Sequence, residues 1–133
     1  MKLTLKSEYA LLALLYLARQ KSDLPVSGEK IARAQNIPPS FLEQILLILK
    51  RARFLSSSKG QHGGYRLARQ AEEISLAEII RLFDGALAPT ESVSKYFYES
   101  TPVGKEKKLL KVFKEVRDIV ADKLESTTLQ QLI

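Results

Sequence analysis

Several residue types are absent or scarce in this chain of 133 residues. It contains no cysteine and no tryptophan, and its single histidine is His62. Without cysteine there are no disulfides, thiolate zinc sites, cysteine-ligated iron–sulfur clusters or thiol nucleophiles. A histidine-rich metal site or a conventional Ser-His-Asp triad would need more than one loop histidine. The sequence therefore predicts no metal site, no cofactor and no enzymatic activity.

A segment that could cross a membrane is also lacking. The longest apolar run, residues 9–18, is about half of the roughly 20 residues that span a bilayer. It begins late and is not followed by a small-residue cleavage site, which makes it a poor signal peptide. We therefore expect no membrane contact and a cytoplasmic location.

The charge is unevenly distributed. The chain has 21 basic and 15 acidic residues, a net charge of +6 and a pI near 9.6. Residues 1–84 hold 13 of the basic and 8 of the acidic residues, and residues 44–71 hold six basic residues and no acidic one. A stretch of one sign fits contact with nucleic acid phosphates. The alternative is a solvated basic surface with no ligand.

The spacing of apolar residues predicts a helix-turn-helix. A first helix is expected to begin between Thr4 and Ser7 and to run to about residue 21. Its middle is apolar on every side, which predicts burial all round by this chain or by a second subunit. Two further helices, over residues 28–35 and 39–53, are joined by a short turn at an asparagine and two prolines.

A β-wing and two more helices are expected to follow. Short strands over residues 54–57 and 65–67 flank a glycine-rich tip. A capping box predicts a helix that begins after Ser75 and ends near Gly85. A long amphipathic helix is expected over residues 105–124.

These elements make the fold class mainly α, a winged helix-turn-helix with a two-stranded β-wing and a long C-terminal helix, for which the family resemblance described below implies a role in dimerisation. We expect three parts. Residues 1–85 form the DNA-binding domain, and residues 105–133 form the dimerisation helix and a short tail. Residues 86–104 form a sensor-like segment that connects these two parts.

Five motifs resemble one family closely. They are MKLTLKSEYA at residues 1–10, NIPPSFLEQ at 36–44, GGYRLA at 63–68, ISLAEII at 74–80 and STTL at 126–129. They are similar to those of the Rrf-two family of bacterial winged-helix transcription regulators. The similarity covers nearly the whole chain and is weakest over residues 86–104.

The resemblance implies a sequence-specific DNA-binding regulator. Such a protein is expected to bind double-stranded DNA at a pseudo-palindromic operator as a homodimer, usually to repress transcription. Many members hold an iron–sulfur cluster with three cysteines before the dimer helix. Residues 86–104 contain none, so we expect no cluster here, although Glu8 matches a further ligand of some members. Other members without these cysteines are controlled by a regulatory protein partner.

An alternative function keeps the same fold. The chain would then be a protein-interaction module that binds a metabolic enzyme or biogenesis factor through residues 86–104. Residues 96–98 are aromatic and are expected to pack against the dimer helices, with a small-molecule pocket as the alternative.

The candidate DNA-binding residues follow from the resemblance and from the motif's geometry. The first turn of a recognition helix reaches base edges, where Gln44 can pair with adenine and Glu43 with cytosine. Alternatively, Glu43 completes a capping box with Ser40. At least one of Phe41 and Leu42 is expected in the core. The full candidate set is Lys6, Ser7, Pro39, Ser40, Phe41, Glu43, Gln44, Arg51, Ser57, Lys59, Gln61, His62 and Tyr65.

The remaining candidates act at three places. Lys6 and the Ser7 hydroxyl, at a helix N-terminus, can bind a phosphate, although Ser7 can instead be a plain N-cap. The wing tip is expected to contact the minor groove or the phosphates through Lys59. The predicted dimer contact is an apolar stripe on the last helix, formed by Leu109, Val112, Phe113, Val116, Ile119, Val120 and Leu124.

Overall fold

The computed structural model describes residues 1–133 as five α-helices and one two-stranded antiparallel sheet. The elements are α1 (Leu5–Ala18), α2 (Gly28–Gln35), α3 (Pro39–Arg51), β1 (Leu55–Ser58), β2 (Gly64–Leu67), α4 (Leu76–Asp84) and α5 (Lys107–Glu125), with four short 3-10 turns between or after them. None of the helices combines the length and the hydrophobicity that crossing a membrane requires.

Helices α1, α2 and α3 enclose the main hydrophobic core, which contains 18 buried residues. Ser27 caps α2 by accepting a hydrogen bond from the Lys30 N–H, and Asn36 ends it in the left-handed conformation with φ of 54°. Ile31 of α2 and Ile45 of α3 are fully buried between the helices. The predicted helix-turn-helix is therefore present.

Helix α1 is shorter than the sequence predicts, and part of its apolar surface is exposed in the single chain. It ends at Ala18, where the last turn tightens: the Arg19 N–H bonds to the Leu15 carbonyl, and the Gln20 N–H bonds to the Leu17 carbonyl three residues back. Its buried side faces the core, but Leu5 and Leu12 are exposed in this chain. The alternative that this chain alone buries the whole helix is wrong, and cover by a second subunit stays a prediction.

Helix α3 begins at Pro39, as the sequence predicts, but its capping and its C-terminal end differ from the alternatives drawn from the sequence. Pro38 is the N-cap and no side chain caps the helix, so the capping box between Ser40 and Glu43, the alternative role for Glu43, does not form. The helix ends at Arg51, two residues early, because Arg53 adopts a left-handed φ of 68° and leads the chain into β1.

The wing consists of β1 and β2, paired from Leu55 with Leu67 to Ser58 with Gly64. β1 begins and ends one residue later than predicted, and β2 begins one residue earlier. On the other side of β2, Tyr65 forms an isolated bridge with Val26. A side chain at Gly64 would collide with the Val26 backbone, so the bridge requires glycine there.

Helix α4 joins the wing to the last helix. The predicted capping box is confirmed: Ser75 accepts from the Glu78 N–H, and the Glu78 carboxylate accepts from the Ser75 N–H. Helix α5 packs on α4 through a small cluster formed by Ala77, Ile80 and Leu87 with Val120 and Leu124.

The chain after α5 returns to the main core. Thr128 forms an isolated antiparallel β-bridge with Ser75, and Leu129 donates its N–H to the Ile74 carbonyl. The Leu129 side chain is completely buried among the core residues of the helix-turn-helix. The tail therefore attaches the end of α5 to the DNA-binding domain.

Candidate DNA-binding surface

Helix α3 presents one continuous exposed face. Successive residues of a helix are about 100° apart, so residues 40, 44, 47 and 51 lie in one row along the axis, with residue 43 beside it. All of these side chains are exposed, whereas Leu42, Ile45, Leu46 and Leu49 on the opposite side are buried. The exposed row offers a hydroxyl, a carboxylate, an amide and a guanidinium to a ligand.

The polar groups at the start of this row have no partner within the chain. Glu43 makes no ion pair with any basic side chain. Because Pro38 is the cap and no side-chain cap bond forms, the Glu43 carboxylate is not consumed by the helix N-terminus. Pro39 begins α3 and is itself exposed. Ser40, Glu43 and Gln44 are therefore available to read a base edge.

Phe41 and Leu42 divide as expected. Leu42 is almost fully buried in the core. Phe41 is half-buried and packs edge-on against Tyr9, with the ring centroids 5.6 Å apart. The prediction that at least one of the pair is core is confirmed, and Phe41 retains an accessible edge.

Leu47 is a residue that the sequence prediction missed. It is 42% exposed in the middle of the polar row, three residues after Gln44 and four after Glu43. An apolar group at that position can contact the methyl group of thymine. Its spacing from Ser40, two helical turns, was the signal that could have identified it.

The wing tip carries exposed polar side chains on a tight turn. Lys59, Gln61 and His62 are exposed, and the Gly63 N–H bonds to the Gly60 carbonyl at 3.0 Å. Gly60 has a φ of 101°, a conformation that L side chains rarely adopt. Lys59 forms no salt bridge within the chain.

Ser57 and Tyr65 are a cross-strand pair with different surroundings. Ser57 on β1 is exposed, whereas Tyr65 on β2 is half-buried and packs against the core. Its backbone is held by Val26 and its ring lies near Gly28. Tyr65 therefore positions the wing against α2. The accessible part of its side chain remains a candidate for DNA contact.

Helix α1 begins at Leu5 with Thr4 as its N-cap, within the predicted bounds, but the surroundings of Ser7 differ from the prediction. The Ser7 side chain is completely buried, and its hydroxyl donates to the Thr4 carbonyl and to Oδ2 of Asp84 at 2.6 Å. Asp84 also accepts from the Thr4 N–H, so a carboxylate of this chain already occupies the helix N-terminus. The expectation that the Ser7 hydroxyl binds a phosphate is contradicted by this geometry. Lys6 remains exposed.

The apolar stripe of α5 divides into two faces. Val120 and Leu124 pack against α4 of the same chain, so they do not belong to a free surface. Four residues are exposed at spacings of three, four and three: Leu109, Val112, Val116 and Ile119. Phe113 is half-buried and lies, by helical spacing, on the same side of α5 as Val120 and Leu124. The spacing of the exposed four is that of a coiled-coil seam.

The aromatic residues 96–98 are exposed in the single chain. Tyr96 is 67% and Tyr98 68% exposed, and the Arg81 guanidinium lies 4.8 Å from the centre of the Tyr96 ring. The hollow beside them measures only about 20 Å³, which is room for about one water molecule. It cannot accept a small-molecule ligand in this conformation.

A helix-turn-helix with an uncapped, polar first turn on its second helix, followed by a basic two-stranded wing, defines a winged-helix transcription regulator. The family model described as Rrf2, iron-dependent transcriptional regulator, matches residues 3–133. The chain belongs to this Rrf2 (Rrf-two) family. Its function is that of a DNA-binding transcriptional regulator and not of an enzyme.

Individual relatives agree with this assignment. The HTH-type transcriptional regulator CymR of Bacillus subtilis is 31% identical over 132 residues, 99% of this chain and 89% of CymR. The solved structure of that protein, described as a global cysteine regulator, superposes with a TM-score of 0.79 over 99% of this chain and 95% of CymR. IscR of T. potens is 30% identical over 99% of this chain and 85% of its own, with a TM-score of 0.70.

The iron in the family's description has no matching residues here. The chain has no cysteine, and no group of three or more His, Asp or Glu side chains is placed to hold a metal ion. The donor set therefore does not fit an iron site or an iron–sulfur cluster.

Proposed function

We propose that this protein is a homodimeric, sequence-specific DNA-binding regulator that represses transcription from a pseudo-palindromic operator. The observation that carries the proposal is the exposed row on α3, whose polar groups have no partner in the chain. Each subunit places this row in the major groove and its wing beside it. Occupation of the promoter then blocks polymerase.

Base reading is assigned to the first two turns of α3. Gln44 pairs with N6 and N7 of adenine, and the free Glu43 carboxylate accepts from N4 of cytosine. Leu47 contacts a thymine methyl group. Pro39, Ser40 and Phe41 line the entry of the helix into the groove, and Arg51 at its far end contacts the backbone.

Phosphate and minor-groove contacts are assigned to the wing and to α1. Lys59 has the length and the free charge to enter a narrow, negative minor groove. Gln61, His62 and Ser57 contact the backbone near it, and Lys6 contacts a phosphate from α1. Because no acidic residue occurs from residue 44 to residue 71, nothing in this stretch repels the DNA.

The dimer contact is assigned to the four exposed apolar residues of α5. A soluble protein seldom leaves a continuous apolar stripe in water, so a second copy is the natural cover for it. The two recognition helices then bind half-sites about 34 Å apart, or a multiple of that distance.

The decisive experiment is fluorescence-anisotropy binding to the protein's own upstream DNA and to a scrambled duplex, over a salt series. We expect selective binding and a steep salt dependence. Gln44→Ala should cost about 1–3 kcal/mol on the cognate duplex and little on the scrambled one. Lys59→Ala should weaken both and reduce the salt slope by about one.

The matched control is Lys114→Ala, which removes one positive charge from the exposed side of α5. It should leave both affinities unchanged. If Gln44→Ala and Lys59→Ala bind as tightly as the wild type, the assignments are wrong. Equal, weak binding of the wild type to both duplexes would favour a protein-interaction module over a regulator of its own promoter.

A further inference from the structure

An open groove of about 650 Å³ lies beside the base of the wing. The outer edge of β2 forms its floor, and its walls are the linker between α1 and α2 and the 3-10 turn Ala71–Glu73. No residue of α3 lines it. The groove is therefore distinct from the row of α3 side chains assigned to base reading.

The floor of this groove is an unpaired strand edge. β2 pairs with β1 on one side, where the Ala68 N–H continues the ladder by bonding to the Phe54 carbonyl. On the other side only Tyr65 is paired, through two 2.8 Å hydrogen bonds with Val26. Leu67 follows Tyr65 by two residues, so its N–H and C=O point to the same side. They have no partner in the chain.

The edge of β2 is unpaired at Leu67 because of a local contact in the linker between α1 and α2. Val26 pairs with Tyr65 in the antiparallel direction. If the pairing continued, the residue two before Val26, which is Leu24, would pair with the residue two after Tyr65, which is Leu67. The Leu24 N–H is instead bonded to the Ser22 hydroxyl at 3.1 Å, and the linker leaves the sheet. The Leu24 side chain is consequently 73% exposed. An open strand edge is a template for pairing with another extended segment.

The walls of the groove are acidic. Asp23, Glu72 and Glu73 line it, and none of their carboxylates is within 4.0 Å of a basic nitrogen. Arg69 is engaged by Glu78 and lies over the Phe54 ring, which leaves Arg66 as the free cation. In a chain of net charge +6, this excess of carboxylates repels phosphate and favours a cationic ligand.

We propose that the groove binds an extended, positively charged peptide segment of a partner protein. The segment adds to β2 as a strand at Leu67, and its basic side chains lie against Asp23, Glu72 and Glu73. Main-chain hydrogen bonds supply affinity in this mode of recognition, and side-chain contacts supply specificity.

The first test uses a fluorescent probe peptide, acetyl-Lys-Val-Lys-Val-Lys-amide, and measures its anisotropy with the full chain. We expect saturable binding that the double variant Glu72→Gln/Glu73→Gln weakens about ten-fold, since it removes two of the three carboxylates that attract the basic side chains. The control Glu91→Gln/Glu99→Gln makes the same change of charge outside the groove and should bind as the wild type does. Equal losses in both variants, or no binding at millimolar peptide, would overturn the proposal.

The second test is amide hydrogen exchange at Leu67. This amide should exchange rapidly in the free protein and slowly with the probe peptide. An alternating Glu-Val peptide should not protect it, and neither should the basic peptide when every residue is N-methylated, because it then has no N–H group to pair with the strand edge. Protection of Leu67 without any peptide would mean that the edge is already closed and would refute the site.

Discussion

At the scale of single residues, two side chains hold backbone conformations that favour glycine. Asn36 and Arg53 have φ of 54° and 68°, and each ends a helix of the helix-turn-helix motif. Asparagine tolerates this region, but arginine incurs a steric cost of about 1 kcal/mol between its Cβ and the following carbonyl. The turn still forms, because the Arg53 and Phe54 N–H groups bond to the Lys50 and Leu49 carbonyls.

We predict that Arg53→Gly raises the free energy of unfolding by about 0.5–1 kcal/mol, because glycine adopts a positive φ without strain. Urea denaturation followed by circular dichroism measures it. The control Arg51→Gly removes the same charge inside α3 and should destabilise by about the same amount. A loss of stability in Arg53→Gly would show that contacts of the arginine side chain outweigh the strain.

At the scale of elements, Arg81 joins three of them. It lies on α4, its guanidinium is 2.6 Å from the Glu125 carboxylate at the end of α5, and it lies over the Tyr96 ring of the connecting segment. The hydrogen bond from Arg81, together with the positive charges of Arg81 and Lys95, lowers the pKa of Glu125 below its ordinary value. The direction of this pKa shift determines how the stability contributed by the Arg81–Glu125 pair depends on pH.

Because the pKa of Glu125 is lowered in the folded state, the pair stabilises the fold above the ordinary carboxyl pKa. This contribution is lost as the pH falls through the lowered value. We predict that Arg81→Met raises the pKa of Glu125 back toward its ordinary value, as measured by NMR titration of the glutamate side chains. Arg117→Met, which removes a different ion pair on α5, should leave the titration of Glu125 unchanged. An unaltered Glu125 titration in Arg81→Met would contradict the pairing.

At the scale of the whole molecule, the C-terminal part is attached to the DNA-binding domain at two places. Val120 and Leu124 pack on α4, and Leu129 enters the main core. The exposed seam of α5 therefore has a defined direction relative to α3. In a dimer joined through this seam, that direction sets the distance between the two recognition helices.

We predict that Ile119→Glu converts the dimer to a monomer, because it places a carboxylate in the apolar seam at its most exposed residue, since Ile119 is 71% exposed in the single chain. Sedimentation equilibrium gives the mass. The salt slope of operator binding should fall by about half, since one subunit contacts half as many phosphates. Lys114→Glu, on the opposite side of α5, should remain dimeric. A dimeric Ile119→Glu would place the interface elsewhere.

Local patterns were sufficient for most of the architecture. The capping box at Ser75, the prolines before α3 and the glycines of the wing act within a few residues of themselves, so their consequences can be read from the chain. The motifs were also sufficient to indicate the family. The exposure of Gln44 and Lys59 follows from helical spacing and from a hairpin tip, and both are exposed in the structure.

The tertiary structure decided which polar and apolar groups are free. Asp84, 77 residues from Ser7, takes the Ser7 hydroxyl, and Pro38 leaves Glu43 without a capping role. α4 covers Val120 and Leu124 but not Ile119, and Ser22 diverts Leu24 from the edge of β2. Periodicity shows that a residue lies on a given face of its element. It cannot show what covers that face, because burial and pairing depend on segments distant in sequence.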